Sequence, residues 1–333
     1  MSDIDMQTVN NAASSGRVLI TGANGFVGKY LSEAMVRQGF QVRGAVRASV
    51  VTPDGVDAVT VGGIDETTDW SEALHDVDVV IHLAARVHVM KEAASDPLAE
   101  FLKVNLHGTV NLAEQAVKAG VKRLVYVSTI KVNGEETVDG QSYSETDTPA
   151  PQDPYGISKW QAEQSLQRIA QDSGLEVVVV RPPLVYGPGV KGNFISLFSA
   201  IDKGIPLPLA GANNARSLVF VGNLADILIN CTKQPSAVSQ TFLVSDDAEV
   251  STGTLVEKIA ASLGRNSRSF YFPPMLLRIT AKILGRSAQI DRLFGSLRVD
   301  NAKICAELGW KPPFSLDEGL RKTADWYRGL SKH

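Results

Sequence analysis

Glycines 22, 25 and 28, spaced three apart directly after the apolar run Val18-Leu19-Ile20-Thr21, constrain this chain more than any other feature. A strand that runs into closely spaced glycines and then into helix-forming sequence, here as far as Arg37-Gln38-Gly39, needs a tight turn with backbone N–H groups open at a helix start. Side chains at those positions would hold a phosphate away from the N–H groups, so the segment reads as a phosphate cradle. Spaced glycines also occur in ordinary turns, and it is the context that decides. A strand before, a helix after and a second strand at 41–46 complete a βαβ unit within about thirty residues.

That unit begins a longer alternation. Strand-like apolar runs at 17–21, 41–46, 57–61, 78–83, 123–128 and 175–181 interleave with helical stretches at 25–38, 68–75, 97–119 and 154–173. The pattern predicts an α/β fold, a Rossmann-type doubly wound parallel sheet with helices on both faces. The near-continuous runs Val77-Asp78-Val79-Val80-Ile81 and Glu176-Val177-Val178-Val179-Val180 suit strands buried on both sides. After Pro182-Pro183 the elements shorten. We therefore expect a flexible extension over 1–15, a dinucleotide-binding domain over 16–183 and a smaller, mainly substrate-binding region over 184–333. With 333 residues, 44% of them hydrophobic, the chain can fill a core of that size.

Far downstream, Tyr155-Gly156-Ile157-Ser158-Lys159 sets a phenol and an ammonium four residues apart, on one face of a helix that Pro154 is placed to start. A tyrosine is a poor base at neutral pH, and a neighbouring cation favours the phenolate. Ser128-Thr129 closes the strand 123–127, at the carboxyl edge where parallel sheets bind ligands.

Composition narrows the function classes. A balance of 33 basic against 36 acidic residues, net charge −3, provides no field for gripping nucleic acid. Cys231 and Cys305 form neither a disulfide framework nor a zinc motif, and His75, His82, His88, His107 and His333 are scattered, so no metal site is expected. No G-x-S-x-G elbow marks a serine hydrolase. Two cysteines and no signal-peptide pattern over 1–15 point to a cytoplasmic protein. No transmembrane segment is expected. Residues 275–286 carry Arg278, Lys282 and Arg286 at four-residue steps beside an apolar face; a packed amphipathic helix is the favoured reading, contact with an anionic membrane surface the alternative.

These residues, with His82-Leu83-Ala84-Ala85, Asn105-Leu106-His107-Gly108-Thr109, Arg181-Pro182-Pro183-Leu184-Val185-Tyr186-Gly187 and Leu308-Gly309-Trp310-Lys311-Pro312, make the chain resemble the extended short-chain dehydrogenase/reductase family. Within it, the resemblance is to NAD(P)-dependent nucleotide-sugar epimerases, dehydratases and 4-keto-sugar reductases, and it covers nearly everything after Ser15. It implies Thr129, Tyr155 and Lys159 as a catalytic trio. It further implies cofactor contacts at Gly22, Asn24, Gly25, Phe26, Val27, Gly28, Arg47, Ile64, Leu83, Ala84, Ala85, Asn105, Tyr155, Lys159 and Pro182. Asn193 and Arg216, with Thr129, match positions that hold the nucleotide sugar, and a homodimer is the expected assembly. Capping of the following helix is the alternative role for Asn193, and an ordinary surface position that for Arg216.

Two departures from the family pattern bear on the cofactor. Where NAD-using members end the second strand with an acidic residue, this chain has Gly44-Ala45-Val46-Arg47, and Arg47, helped by Arg43, would attract a 2′-phosphate. NADP(H) is thus preferred, with NAD(H) the alternative. Gly63 stands where an aspartate usually meets the adenine, and Asp65 is a candidate replacement. The leading expectation is an NADP(H)-dependent reductase of a UDP-linked 4-keto-sugar, and the alternative is an NAD-dependent nucleotide-sugar 4-epimerase acting on a UDP-hexose or UDP-N-acetylhexosamine, free or lipid-linked. A non-catalytic NAD(P)-binding sensor ranks last, because Thr129, Tyr155 and Lys159 are all present.

Overall fold

The apolar runs pair into one seven-stranded sheet. In the computed structural model, which describes residues 16–48, 50–87, 95–138, 140–273 and 293–330, the strands are β1 (Arg17–Thr21), β2 (Gln41–Val46), β3 (Val56–Thr60), β4 (Val77–His82), β5 (Arg123–Val127) and β6 (Glu176–Arg181). Next come β7 (Leu184–Tyr186), β8 (Arg216–Phe220), β9 (Thr241–Leu243) and β10 (Glu249–Val250). The main sheet runs β3-β2-β1-β4-β5-β6-β9 and every neighbouring pair in it is parallel. Order reverses between β1 and β4. That crevice, at the carboxyl ends of the strands, is where a doubly wound sheet binds its ligand.

Strand alternation sorts the buried side chains into two layers. Val18, Ile20, Ile81, Val125, Val178 and Val180 face α1 (Phe26–Arg37), α7 (Val221–Lys233) and the helix Ala302–Leu308. Leu19, Val80, Leu124, Tyr126, Val177 and Val179 face α2 (Ser71–Leu74), α4 (Gly108–Lys118) and α5 (Pro154–Ser173). Each such aliphatic side chain contributes about 1.5–3 kcal/mol on burial, which is why the valine runs suffice to define central strands. A second core lies under the small sheet β10-β8-β7, where Tyr186, Phe194, Phe198, Phe220 and Ile259 pack with α6 (Asn193–Asp202), α8 (Thr252–Ser262) and the helix Leu316–Leu330.

The six expected strands agree with the structure to within a residue, and three other features differ from expectation. The helix expected over 68–75 is only the single turn of α2. The helix expected over 97–119 is α3 (Pro97–Leu102) and α4 joined by a π-helical turn, Lys103–His107. The sheet also takes β9 and its covering helix α7 from beyond residue 183, so the division expected there separates stretches of chain and not layers of structure. The 1–15 extension, the basic stripe of 275–286, His88 and His333 lie outside the described residues.

Candidate active site

The cradle is built by close contacts that only glycine allows. Gly22 has φ +69°, and a Cβ there would press to 3.1 Å from the Ala84 backbone; a Cβ on Gly28 would sit 2.1 Å from the Gly22 carbonyl. Gly25 takes the N-cap position of α1 without a side-chain cap, and no acidic residue follows in the first turn. The opening N–H groups of α1 thus keep the orphan donors and the positive end of a helix dipole. Asn24 and Gly25 are exposed at the rim, and Phe26 and Val27 are half-buried, Phe26 reaching under Gly189. These residues fit the pyrophosphate of a dinucleotide.

A buried clamp fixes the neighbouring loop. Thr21 Oγ1 accepts from Leu83 N at 3.2 Å and Ala84 N at 3.1 Å, so its own proton goes to His82 Nδ1 at 2.7 Å. That leaves Nε2–H to donate to Thr109 Oγ1 at 2.9 Å. His82 is therefore a neutral ring, and burial, assisted by the Lys159 charge, holds its pKa down at about 3. Leu83, Ala84 and Ala85 leave the clamp half-buried along the crevice. Asn105, inside the π-turn, spends its amide on the protein: Oδ1 accepts from Arg86 N at 2.8 Å, and Nδ2 donates to Arg86 O and Ser158 Oγ. Such one-residue insertions often re-aim a side chain at a functional site.

The adenine side corrects one expectation and constrains another. Arg43 is turned away from any 2′-phosphate: its guanidinium is bound to Asp57 at 2.8 Å and to the Glu72 and His75 carbonyls. Arg47 stands alone of the two, exposed just past the end of β2. Asp65 accepts Thr67 N and Oγ1 and pairs with Lys103 at 3.6 Å, so its carboxylate is engaged in its own loop; those Thr67 bonds hold its pKa below the usual range. Ile64 packs against Gly108, where a Cβ would approach it to 2.6 Å.

The acid/base segment joins two elements at the crevice. Asp153 caps α5 by accepting Gly156 N at 2.7 Å, and Pro154 occupies the first turn. The Thr129 side chain caps the single 3₁₀ turn Ile130–Val132, and Lys131 of that turn pairs with Asp153 at 2.6 Å and Glu135 at 2.8 Å. The turn carrying Thr129 is thus tied to the start of the helix carrying Tyr155. Pro182, buried just past the end of β6, accepts Ile130 N through its carbonyl at 3.0 Å. Tyr155 is half-buried, its ring 6.2 Å from that of Phe101.

Lys159 is buried, and burial draws its pKa down to about 7 against the opposing Glu163 charge. The expectation that Lys159 lowers the Tyr155 pKa is not met in this structure, where burial and then the Asp153 charge raise it.

Of the two expected substrate residues, Asn193 is exposed at the first position of α6. The cap itself is Gly192 at φ +68°, so Asn193 is not used as a cap. Arg216 opens β8, half-buried, and its Nη1 donates to Gly295 O at 3.0 Å. A further residue of the site, outside the motifs read from sequence, is Glu163, which sits at 0% exposure and binds Ser128 and Arg181. Its signal was the same four-residue step that links Tyr155 to Lys159. Among the described residues no group of histidine, cysteine and carboxylate side chains could hold a metal, and no helix is long and apolar enough to cross a membrane.

Comparison with known proteins agrees with this geometry. Residues 18–244 match the model of the NAD dependent epimerase/dehydratase family. The chain is 44% identical over 309 residues to a UDP-glucose 4-epimerase of Vibrio cholerae, covering 92% of this chain and 94% of that protein. It is 26% identical to an N-acetyl-alpha-D-glucosaminyl-diphospho-ditrans,octacis-undecaprenol 4-epimerase of Escherichia coli O157:H7, covering 93% and 94%. Among solved structures, MoeE5 in complex with UDP-glucose and NAD superimposes with a TM-score of 0.76 at 28% identity, covering 95% of this chain and 100% of the other.

Proposed function

The chain belongs to the NAD dependent epimerase/dehydratase family, and from that premise we propose that it is a nucleotide-sugar 4-epimerase acting on a UDP-linked hexose or N-acetylhexosamine with NAD retained through turnover. The observation that carries this reading is the extent of the likeness to the Vibrio cholerae epimerase, which runs over 92% of the chain and so well into the region after 183. It favours the 4-epimerase over the reductase that Arg47 suggested from sequence.

When bound, NAD supplies the acceptor and donor of hydride. The residues of the cradle, Gly22 through Gly28, hold its pyrophosphate, with Leu83, Ala84, Ala85 and Pro182 lining the crevice. Lys159, buried and close to neutrality in its titration, directs its donors to the cofactor ribose. Tyr155 takes the proton of the sugar 4-hydroxyl and returns it, and Thr129 hydrogen-bonds the same oxygen as its charge changes. Asn193 and Arg216 hold the nucleotide diphosphate, for which a guanidinium fork is suited.

A second reading, an NADPH-dependent 4-keto-sugar reductase, is favoured by one observation: Arg47 is exposed where a carboxylate would repel a 2′-phosphate. The deciding experiment incubates the purified protein with UDP-galactose, and separately with UDP-N-acetylglucosamine, without added cofactor and follows the anomeric proton signals. Interconversion of the 4-epimers supports the epimerase. Inert sugars together with NADPH-dependent reduction of a UDP-4-keto-sugar would move the reductase to first place.

A further inference from the structure

The polar face that α5 turns into the core continues one turn beyond Lys159 to Glu163. Its carboxylate accepts the Ser128 hydroxyl and a forked pair from Arg181, Nη2 to Oε2 at 2.5 Å and Nε to Oε1 at 3.0 Å. The remaining arm of Arg181, Nη1, donates to Asn133 Oδ1 at 2.9 Å. Backbone bonds complete the frame, Ser128 N to Val180 O at 2.7 Å and Ile130 N to Pro182 O at 3.0 Å. Thr129 therefore lies between two residues anchored on β6, in a turn whose far end is held by Arg181. On the other side of the ion pair, Tyr155, Lys159 and Glu163 follow at four-residue steps along one helix.

A buried ion pair is a weak device for stability, since an apolar pair of equal volume does as well or better; removing one partner alone is what costs dearly. Its position here is better explained by geometry. We infer that Glu163 is a positioning residue, which through Ser128 and Arg181 sets Thr129 against Tyr155 and supplies the buried anion beside Lys159. This rests on the roles of Thr129, Tyr155 and Lys159 proposed above. The groups that face Lys159 are Glu163 on its own helix, His82 from β4 and Tyr126 from β5, with Tyr155 one helical turn before it. The histidine is neutral and both tyrosines have raised pKa values, so the carboxylate is what opposes the burial that lowers the lysine pKa.

The test compares E163Q, E163D and S128A by three readouts: NAD+ affinity by calorimetry from pH 5.5 to 9, kcat and KM with UDP-galactose, and unfolding temperature. With the anion removed, the alkaline inflection of NAD+ affinity in E163Q should move to lower pH by about one unit. Its kcat should fall about tenfold to a hundredfold, as for a misplaced reacting group, with KM little changed. E163D should restore the inflection, and S128A should keep it while losing severalfold in kcat. A lowered unfolding temperature in E163Q with wild-type inflection and kcat would overturn the inference. So would an E163D variant shifted as far as E163Q. If E163Q fails to fold, S128A decides, and a wild-type kcat there overturns the inference. Wild-type protein that binds NAD+ but leaves UDP-galactose unchanged would fail the epimerase reading, and the inflection would still decide the role of Glu163.

Discussion

The Lys159 ammonium lies 4.0 Å from the centroid of the Tyr126 ring, and among the described residues no hydrogen bond engages it. A buried cation over an aromatic face gains about 2 kcal/mol, less than the cost of removing it from water. That imbalance is why its pKa falls to about 7. The three donors of the ammonium stay open to a ligand, and the cofactor ribose is the ligand proposed for them.

Tyr155→Phe should fold and bind NAD with wild-type affinity yet lose nearly all turnover, because the change removes the transferable proton and leaves the ring against Phe101. Thr129→Val should cost less, on the order of 10²-fold in kcat, as for one hydrogen bond to developing charge. Steady-state rates with UDP-galactose check both. Wild-type rates would remove either residue from the chemistry.

Arg47→Ala should leave NAD+ affinity unchanged and weaken NADP+ about tenfold to a hundredfold, the worth of one charge-assisted contact to a 2′-phosphate. With Arg43 bound to Asp57, no second guanidinium from β2 compensates. Titration of both cofactors against both proteins gives the answer, and an unaltered NADP+ constant would place Arg47 outside the site.

Arg216→Ala should weaken UDP binding in the presence of saturating NAD while NAD affinity holds. Loss of uniform binding appears in KM more than in kcat. Arg216→Lys should recover part of it, since an ammonium keeps the charge without the bidentate fork. Because Nη1 also holds the Gly295 carbonyl, calorimetry is to be read beside the unfolding temperature. Unchanged UDP affinity in the alanine variant would give the arginine a structural role.

His82 should make the fold acid-labile. Its pKa is about 3 in the fold against about 6.5 in the unfolded chain, so between those values the unfolded chain binds a proton that the native ring does not. Stability is then lost as pH falls below 6.5, with a slope approaching about 1.4 kcal/mol per pH unit. Lys159, with a native pKa of about 7, is mostly protonated in both states between pH 6.5 and 5 and adds little slope towards the acid end of that window. Urea midpoints across that window should fall in the wild type and stay nearly level in His82→Gln; parallel slopes would refute the assignment.

Sequence periodicity revealed what depends on local pattern. Val177 to Val180 read as a buried strand because both neighbours of a central parallel strand are apolar, and Tyr155 and Lys159 shared a face by helical arithmetic. What depends on pairing across the fold was hidden. Arg43 and Arg47 look equivalent along β2, and only the register that sets Arg43 opposite Asp57 on β3 separates them. The π-turn shifts the helical period by a single residue, and β9 spans only Thr241–Leu243, so neither leaves a countable pattern. Glu163 carries the most polar of labels on a helix that otherwise reads as solvated, and its burial follows from Arg181, eighteen residues away on another element.

The seventh strand has a consequence for how the chain is made. Arg181 pairs in register with Leu243, so one side of β6 stays open during synthesis until the whole β7–β8 region has emerged. An open row of backbone donors and acceptors beside valines is a template for another chain. A fragment ended at Pro183 would carry that edge permanently and aggregate, however complete its glycine cradle. The order of genetic fusion or truncation therefore matters: any cut before β9 leaves that edge of the sheet open.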